Sequence, residues 1–146
     1  MTMTTVERVV ALQRVGLFAD VPGRTLAALA RRASEVEVPA GTLVIAEGAI
    51  EEHLYAVVRG KVRVHHGERD VTVLGPGSTV GELAALVPEP RSASVTAQEP
   101  TTLLRIDRPL LEELLADRPA LAHGIIVALV AMVRERARSE ADTTAP

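Results

Sequence analysis

The residues of this chain whose types and spacing could do chemistry lie between positions 81 and 95. Gly81-Glu82-Leu83-Ala84 is followed, after a short stretch, by Pro90-Arg91-Ser92-Ala93-Ser94-Val95. A glycine lets a ligand approach the backbone closely, and an arginine offers a fork of donors that fits a phosphate. If residues 81–85 open a short helix, its first free N–H groups would also favour an anion.

Glu82 must have a different task, because a carboxylate repels an anion. It accepts hydrogen bonds, so its natural partner is a hydroxyl group beside the anion. Taken alone, Glu82 is explained by compensation of a helix dipole and Arg91 by a solvated surface. Only their ordered combination, an acid and a base across a glycine-led turn, indicates a site, and a ribose phosphate would suit it.

Composition limits what else the chain could do. Its 146 residues are 47% hydrophobic with a formal net charge of -3, so it can bury a core and shows no basic field for nucleic acid. The absence of cysteine excludes disulfides and thiolate chemistry. The longest apolar run, Gly124 to Val133, is half of the roughly 20 residues that a membrane-spanning helix needs. We expect a soluble, cytoplasmic chain with no nucleic-acid or membrane partner; its richness in Ala, Val and Arg suggests a bacterial source of high GC content.

The elements that must position the site are mainly strands. From Ser34 to Asp107, short alternating runs are separated by turn residues about 8–12 positions apart, which predicts a β-sandwich, barrel or jelly roll. Helices flank this region; the predicted ones are Val6–Arg14, one that begins at Pro22, Leu110–Ala116 behind a candidate N-cap at Asp107, and a long one over 119–139. We expect one domain over 1–146, with its core at about 6–135 and loose termini at 1–5 and 140–146.

The long final helix has more apolar surface than packing on one neighbour requires. Its two adjacent stripes are Leu121, Ile125, Ala128, Met132 and Ala122, Ile126, Leu129, Val133. The excess predicts that the helix covers a ligand, contacts a second subunit, or both. A homodimer through residues 119–139 is therefore expected.

With these residues identified, the chain resembles the cyclic nucleotide-binding domain family, which includes the regulatory subunit of cyclic-AMP-dependent protein kinase and the bacterial catabolite activator protein. Gly81-Glu82-Leu83-Ala84 with Pro90-Arg91-Ser92-Ala93-Ser94-Val95 is similar to the phosphate-binding cassette of that family. The likeness extends over about Val6 to Glu135 through matches such as Glu47-Gly48 and Gly60-Lys61-Val62. It departs from the family pattern at Val80, where an aromatic is common, and at Ala49 and Ser78, where acids are common.

The resemblance implies a fold and a set of roles. The fold would be a β jelly roll (a double-stranded β-helix) with N-terminal helices and a C-terminal hinge and lid helix pair. Arg91 would bind the exocyclic phosphate oxygens, Glu82 the ribose 2′-OH, and the Gly81 turn with the N–H groups of Leu83, Ala84 and Ser92 the phosphate or sugar. The Ser92 hydroxyl would add a contact to the phosphate or the base. The base pocket would be lined by Val73, Leu74, Leu83 and Val95, and Arg134 or an aliphatic neighbour would be the lid residue.

The implied function is that of a non-catalytic sensor module for cyclic AMP, or cyclic GMP as the less favoured ligand, with no further cofactor. Binding would repack the helices after Arg108. Because only a short polar tail follows the lid helix, we expect an effector protein in trans.

Two alternatives stay open. One is a ligand-free dimerising interaction domain of the same fold. The other is a cupin-like metalloenzyme, which needs converging histidines; His65 and His66 are adjacent, so on a strand they face opposite sides and disfavour a metal site. Glu51-Glu52-His53 is interpreted as a solvated loop, and no catalytic residue is assigned.

Overall fold

The computed structural model describes residues 2–81, 87 and 89–144, with side chains as far as 141. Helix α1 (Thr5–Gln13) begins at a capping box, in which the Thr4 hydroxyl accepts from the N–H of Glu7 and the Glu7 carboxylate accepts from the N–H of Thr4. A 3₁₀ turn (Gly16–Phe18) and helix α2 (Gly23–Arg32) follow. Proline at position 22 occupies the N-cap of α2, so the predicted start of this helix is confirmed.

Eight strands follow among the described residues; the alternating runs predict all of them except the two-residue strand at 79–80. They are β1 (Ser34–Val38), β2 (Leu43–Ile45), β3 (His53–Arg59), β4 (Val62–His66), β5 (Arg69–Leu74), β6 (Thr79–Val80), β7 (Ser94–Ala97) and β8 (Thr101–Asp107).

The strands form two four-stranded sheets, ordered β1-β8-β3-β6 and β2-β7-β4-β5, and every pairing is antiparallel. Non-consecutive strands are neighbours in both sheets, which is the crossover pattern of a jelly roll. The expectation of a mainly β domain with flanking helices is confirmed.

Two helices close the chain. Helix α3 (Arg108–Asp117) starts directly after β8, and helix α4 (Pro119–Thr144) follows after a single residue. Asp107 occupies the N-cap position of α3 as predicted, but its side chain makes no capping hydrogen bond. It lies instead against His53 of the neighbouring strand β3 and against Arg105 of its own strand β8.

Both chain ends are more regular than the expectation of loose termini at 1–5 and 140–146. Met3 is buried, and its N–H donates to the carboxylate of Glu35 over 2.7 Å. At the other end α4 continues to Thr144, because the residues after Ser139 carry no glycine or proline that would stop a helix before position 146.

Apolar side chains form two buried clusters. The larger joins α1, α2, α3 and α4 to one sheet through residues such as Phe18, Leu26, Leu54 and Leu111. The smaller lies between the two sheets and consists of Ile45, Tyr55, Val57, Val62, Val80, Val95 and Leu103. The smaller cluster forms the inner wall of the barrel, next to the cavity described below.

Through Gly124, helix α4 packs closely on the residues that follow the 3₁₀ turn. A Cβ added there would lie 2.6 Å from Val21 Cγ2 and 3.1 Å from the carbonyl oxygen of Asp20, so only glycine permits this approach. The first predicted stripe is buried at Leu121, Ile125 and Ala128, whereas the second is largely exposed. The exposed apolar residues of α4, here called the α4 outer face, are Ile126, Val127, Val130, Met132 and Val133.

Among the described residues, no single helix has the length and hydropathy to cross a bilayer; α3 and α4 meet that test only as a pair, and they are bent by 112° at their junction.

Candidate functional site

The backbone around Arg91 is fixed by the segment that follows β2. Its N–H donates to the carbonyl of Ala49 over 2.9 Å, and its own carbonyl accepts from the N–H of Gly48 over 2.8 Å. An isolated bridge between Ile50 and Pro90 continues this pairing. Arg91 therefore enters the barrel from a well-held main chain.

The Arg91 side chain is almost wholly buried, with 4% of its surface exposed. One terminal nitrogen, Nη1, donates to the carbonyl of Gly81 over 3.2 Å, and Nη2 donates to the carbonyl of His53. The nearest acid among the described residues, Glu51, lies 3.9 Å away, and Nε has no hydrogen-bond partner in the part of the chain that the structure describes. A buried guanidinium needs a close anion to offset its desolvation, and the partners of this one among the described residues are two backbone carbonyls and a carboxylate 3.9 Å away.

Gly81 makes this arrangement possible in two ways. Its φ of 80° lies in the left-handed region that disfavours side chains, and a Cβ there would be 2.1 Å from Nη1 of Arg91 and 2.9 Å from the carbonyl oxygen of His53. No other residue type leaves room for the guanidinium.

Arg91 and Gly81 open into a cavity of about 550 Å³ between the sheets. Its walls are mostly aliphatic, with polar groups at the end near Arg91 and at the rim. The lining residues are Ile45, Val64, Thr72, Leu74, Thr79, Val80, Gly81, Glu89, Pro90, Arg91, Ser92, Ala93, Val95 and Arg136. A cationic end and an apolar wall together suit a ligand with an anionic group and a flat apolar part.

A comparison with known protein families identifies the family to which the chain belongs. The model of the cyclic nucleotide-binding domain matches residues 35–118, more than half of the chain and including Gly81 and Arg91. The chain belongs to the cyclic nucleotide-binding domain family.

Relatives of known sequence and structure agree with this membership. A CRP-like cAMP-activated global transcriptional regulator of Mycobacterium tuberculosis is 32% identical over 136 residues, which cover 90% of this chain and 61% of the regulator. The N-terminal domain of a transcriptional regulator from Streptomyces coelicolor has 31% identity and a TM-score of 0.79, over 86% of this chain and 94% of that one. The regulatory domain of Toxoplasma gondii PKA with cAMP has 31% identity and a TM-score of 0.70, over 75% of this chain and 44% of that one. The chain thus spans about three fifths of the length of the mycobacterial regulator.

Several predicted residues of this cyclic nucleotide-binding domain meet at the cavity: Gly81, Arg91, Ser92, Leu74 and Val95. Glu82, Leu83 and Ala84, which are predicted to hold the ribose and the phosphate, lie outside the described residues.

Val73 and Arg134 are not among the residues that line the cavity. Because side chains alternate along a strand, Thr72 and Leu74 of β5 face the cavity and Val73 faces outward, with 45% of its surface exposed. On α4 the arginine that reaches the rim is Arg136. Two residues of helix turn the side chain by about 200°, so Arg134 and Arg136 cannot share a side of the helix.

Tyr55 belongs to the buried cluster between the sheets, and the pKa of its phenol responds to the charges around Arg91. Burial raises the pKa of its phenol, Glu51 raises it further, and Arg105 and Arg91 partly offset this. The phenol therefore stays neutral over the physiological range and contributes no negative charge beside Arg91.

The histidines are engaged separately. The ring of His65 contacts the Gly67 carbonyl at 2.6 Å and the Thr96 hydroxyl at 2.7 Å, whereas the ring of His66 lies 3.0 Å from the Glu47 carboxylate. Within the described ranges, no group of three His, Asp or Glu side chains is arranged to hold a metal ion.

The interpretation of Glu51-Glu52-His53 as a solvated loop holds for Glu52, which is exposed and lies outside the helices and strands, whereas Glu51 and His53 are only partly exposed and His53 begins β3. All three residues contact either Arg91 or the residues at the start of α3. Their partners lie 38 to 56 positions away in the sequence, so nothing local in this charged run indicates these contacts.

Proposed function

We propose that this chain is a sensor domain that binds cyclic AMP, and cyclic GMP less tightly, and that it has no catalytic activity of its own. The observation that carries this proposal is the buried Arg91 at the end of an apolar cavity, held by Gly81 and without a close anion among the described residues.

In this proposal the phosphate lies against Arg91, which forms the floor of the cavity, and displaces its weak contact with Glu51. The Ser92 hydroxyl donates to the phosphate or the base. The base lies against the aliphatic wall that Val64, Leu74 and Val95 provide. Glu82 accepts from the ribose 2′-OH, and the N–H groups of Leu83 and Ala84 complete the phosphate cradle, as the family pattern implies.

The preference for cyclic AMP is supported by the relatives. The mycobacterial regulator is described as cAMP-activated, and the Toxoplasma regulatory domain is described with cAMP. Both share about a third of their aligned residues with this chain, so the same ligand is the first to test.

Arg136, instead of Arg134, is the lid residue in this proposal. It approaches the rim from α4, and no hydrogen bond or ion pair engages it among the described residues, so it is available to a bound nucleotide. An arginine plane stacks on a base and donates to its acceptors. Binding can repack α3 and α4 only to the extent that the ligand binds the closed arrangement better than the open one.

The signal would leave through α4. Its outer face exposes apolar residues in successive turns, including Ile126, Val130 and Val133, and a second copy of the same helix would cover them by two-fold symmetry. We propose a homodimer through this face, with an effector protein responding to the repacked helices.

The experiment that tests the ligand is a calorimetric titration of cyclic AMP and of cyclic GMP into the wild type, Arg91→Ala and Arg69→Ala. Removing Arg91 deletes a charge-assisted contact of about 1.5–3 kcal/mol, which corresponds to an affinity loss of about 10- to 150-fold. Arg69 is the matched control, because it is an exposed arginine on β5 that does not line the cavity. We expect it to leave affinity unchanged.

Saturable binding that is lost in Arg91→Ala and kept in Arg69→Ala supports the proposal. No heat from a folded wild type with either nucleotide would contradict it and would favour the ligand-free dimerising domain. Equal affinity in all three proteins would place the ligand elsewhere on the molecule.

A further inference from the structure

The three residues Glu51, Glu52 and His53 lie between Arg91 and the start of α3. On the side of the cavity, Arg91 donates through Nη2 to the backbone carbonyl of His53, and the carboxylate of Glu51 is 3.9 Å from the same nitrogen. The backbone of His53 is thus one of the two carbonyl supports of the buried guanidinium.

The same segment holds the first residues of α3 on its other side. The carbonyl of Glu52 accepts from the N–H of Arg108 over 2.8 Å, and its carboxylate lies 3.5 Å from the Arg108 guanidinium. The imidazole Nδ1 of His53 lies 2.7 Å from Oδ1 of Asp107, the residue that immediately precedes α3. His53 therefore contacts Arg91 with its main chain and the start of α3 with its side chain.

The Asp107 carboxylate makes this contact with His53 instead of capping α3. An aspartate at an N-cap normally accepts from the first N–H groups of its helix, and here it does not. Its Oδ1 lies instead next to His53 Nδ1 and 3.3 Å from Arg105 Nε. These three atoms are buried together and none has a well-aligned hydrogen bond in the described structure, so their interaction depends on how closely the three side chains approach one another.

We propose that His53 is a positioning residue that couples occupancy of the anion site to the start of α3. The proposal rests on the proposed nucleotide function. When Arg91 turns toward a bound phosphate, it releases the carbonyl of His53. The His53 backbone then shifts, and the contact between its imidazole and Asp107 loosens. The first turn of α3 follows, and with it the helix pair that carries Arg136.

The groups that face the imidazole are the Asp107 carboxylate and the Arg105 guanidinium, both on β8. The Tyr55 ring, on the same strand as His53, has its centroid 6.3 Å from that of the imidazole. A shift of the His53 backbone would therefore change contacts with the strand that leads directly into α3.

The test compares the wild type with His53→Gln, Asp107→Asn and Glu113→Gln. Cyclic AMP and cyclic GMP are titrated calorimetrically, and amide exchange is measured over 108–117 with and without nucleotide. Because the Asp107 side chain makes no capping hydrogen bond, Asp107→Asn removes the charge next to His53 without removing a helix cap. Glu113→Gln is the matched control, since Glu113 is also on α3, but its 2.9 Å ion pair is with Arg32 of α2 and it contacts neither His53 nor Arg91.

We expect the wild type and Glu113→Gln to change exchange over 108–117 on binding. His53→Gln and Asp107→Asn should still bind nucleotide, with a smaller exchange response in α3. The coupling is overturned if the wild type binds nucleotide and these variants keep its exchange response. Absence of binding by the folded wild type would instead remove the proposed function, and the coupling would fall with it.

Discussion

Arg91 and Arg136 line the same cavity, but the protein holds them in different ways. Arg91 lies on the floor, 4% exposed, with its main chain paired to Gly48 and Ala49 and its guanidinium on two backbone carbonyls. Arg136 lies at the rim on an exposed stretch of α4, with no hydrogen bond or ion pair to the described residues.

The contrast separates two tasks that one ligand would require. A buried charge attracts an anion strongly because little solvent screens it, and it therefore supplies affinity. An exposed arginine on a helix supplies little by itself, but its contact with the ligand depends on where the helix lies. The floor of the cavity would thus provide binding, and the rim would report it.

Gly81→Ala should displace Arg91 from the floor of the cavity and has the largest expected effect. The new Cβ would overlap the guanidinium of Arg91, so cyclic AMP affinity should fall by more than about tenfold, which is 1.4 kcal/mol. The left-handed backbone adds about 1–2 kcal/mol of lost folding free energy. Calorimetry and thermal unfolding measure the two effects.

Gly41→Ala separates strain from overlap. Its φ of 89° is equally unfavourable to a side chain, but nothing lies within 4 Å of the added Cβ. It should lose stability to a similar degree and keep nucleotide affinity. If Gly81→Ala binds as well as Gly41→Ala, the geometry of Arg91 does not determine affinity.

Val133→Asp tests whether a second copy of the chain packs on the α4 outer face, on the helix that carries the rim residue Arg136. Val133 is 68% exposed on the α4 outer face, and a carboxylate buried against an apolar partner helix is costly. We expect the dissociation constant of the dimer to rise by about tenfold or more, a change of at least 1.4 kcal/mol. Sedimentation velocity over a concentration series measures it.

The matched control is Val6→Asp, which places the same charge on a 72% exposed valine of α1. It should leave the dimer intact. A wild type that stays monomeric at all concentrations would contradict the proposed dimer, whereas equal weakening by both variants would place the interface outside α4.

Arg136→Ala has the smallest expected effect. An exposed cation next to an aromatic base contributes about 0.5–1 kcal/mol, so affinity for cyclic AMP should fall about two- to fivefold. Arg134→Ala, an exposed arginine of the same helix that does not line the cavity, should have no effect. A larger loss with Arg134→Ala than with Arg136→Ala would restore the original assignment of the lid.

The floor of the cavity could be predicted from the sequence, and the rim could not. Gly81 and Arg91 stand out because a glycine turn and an arginine after proline have chemical meaning at short separation. The choice between Arg134 and Arg136 depends on the rotational phase of α4, which Gly124 sets where it meets Asp20 and Val21. That contact spans about a hundred positions of sequence, so no local pattern reveals it.

Two further differences between the sequence predictions and the structure also have physical causes. Val73 and Leu74 are neighbours on one strand and cannot both face inward, and the pairing of Val64 with Thr72 decides between them. The contacts of residues 51–53 also escaped the sequence, because a run of charges looks the same whether its partners are solvent or distant arginines.

Because α4 is held closely at Gly124, a small rotation of the helix there would displace its far end by a larger distance. Twelve residues separate Gly124 from Arg136, which is about 18 Å of helix at 1.5 Å per residue. A pivot of about 10° at the glycine would carry the Arg136 backbone through about 3 Å, enough to make or break a contact at the cavity rim. A small adjustment of the packing between Gly124 and Val21 would therefore become a displacement of Arg136 large enough to change its contact with a ligand or a partner.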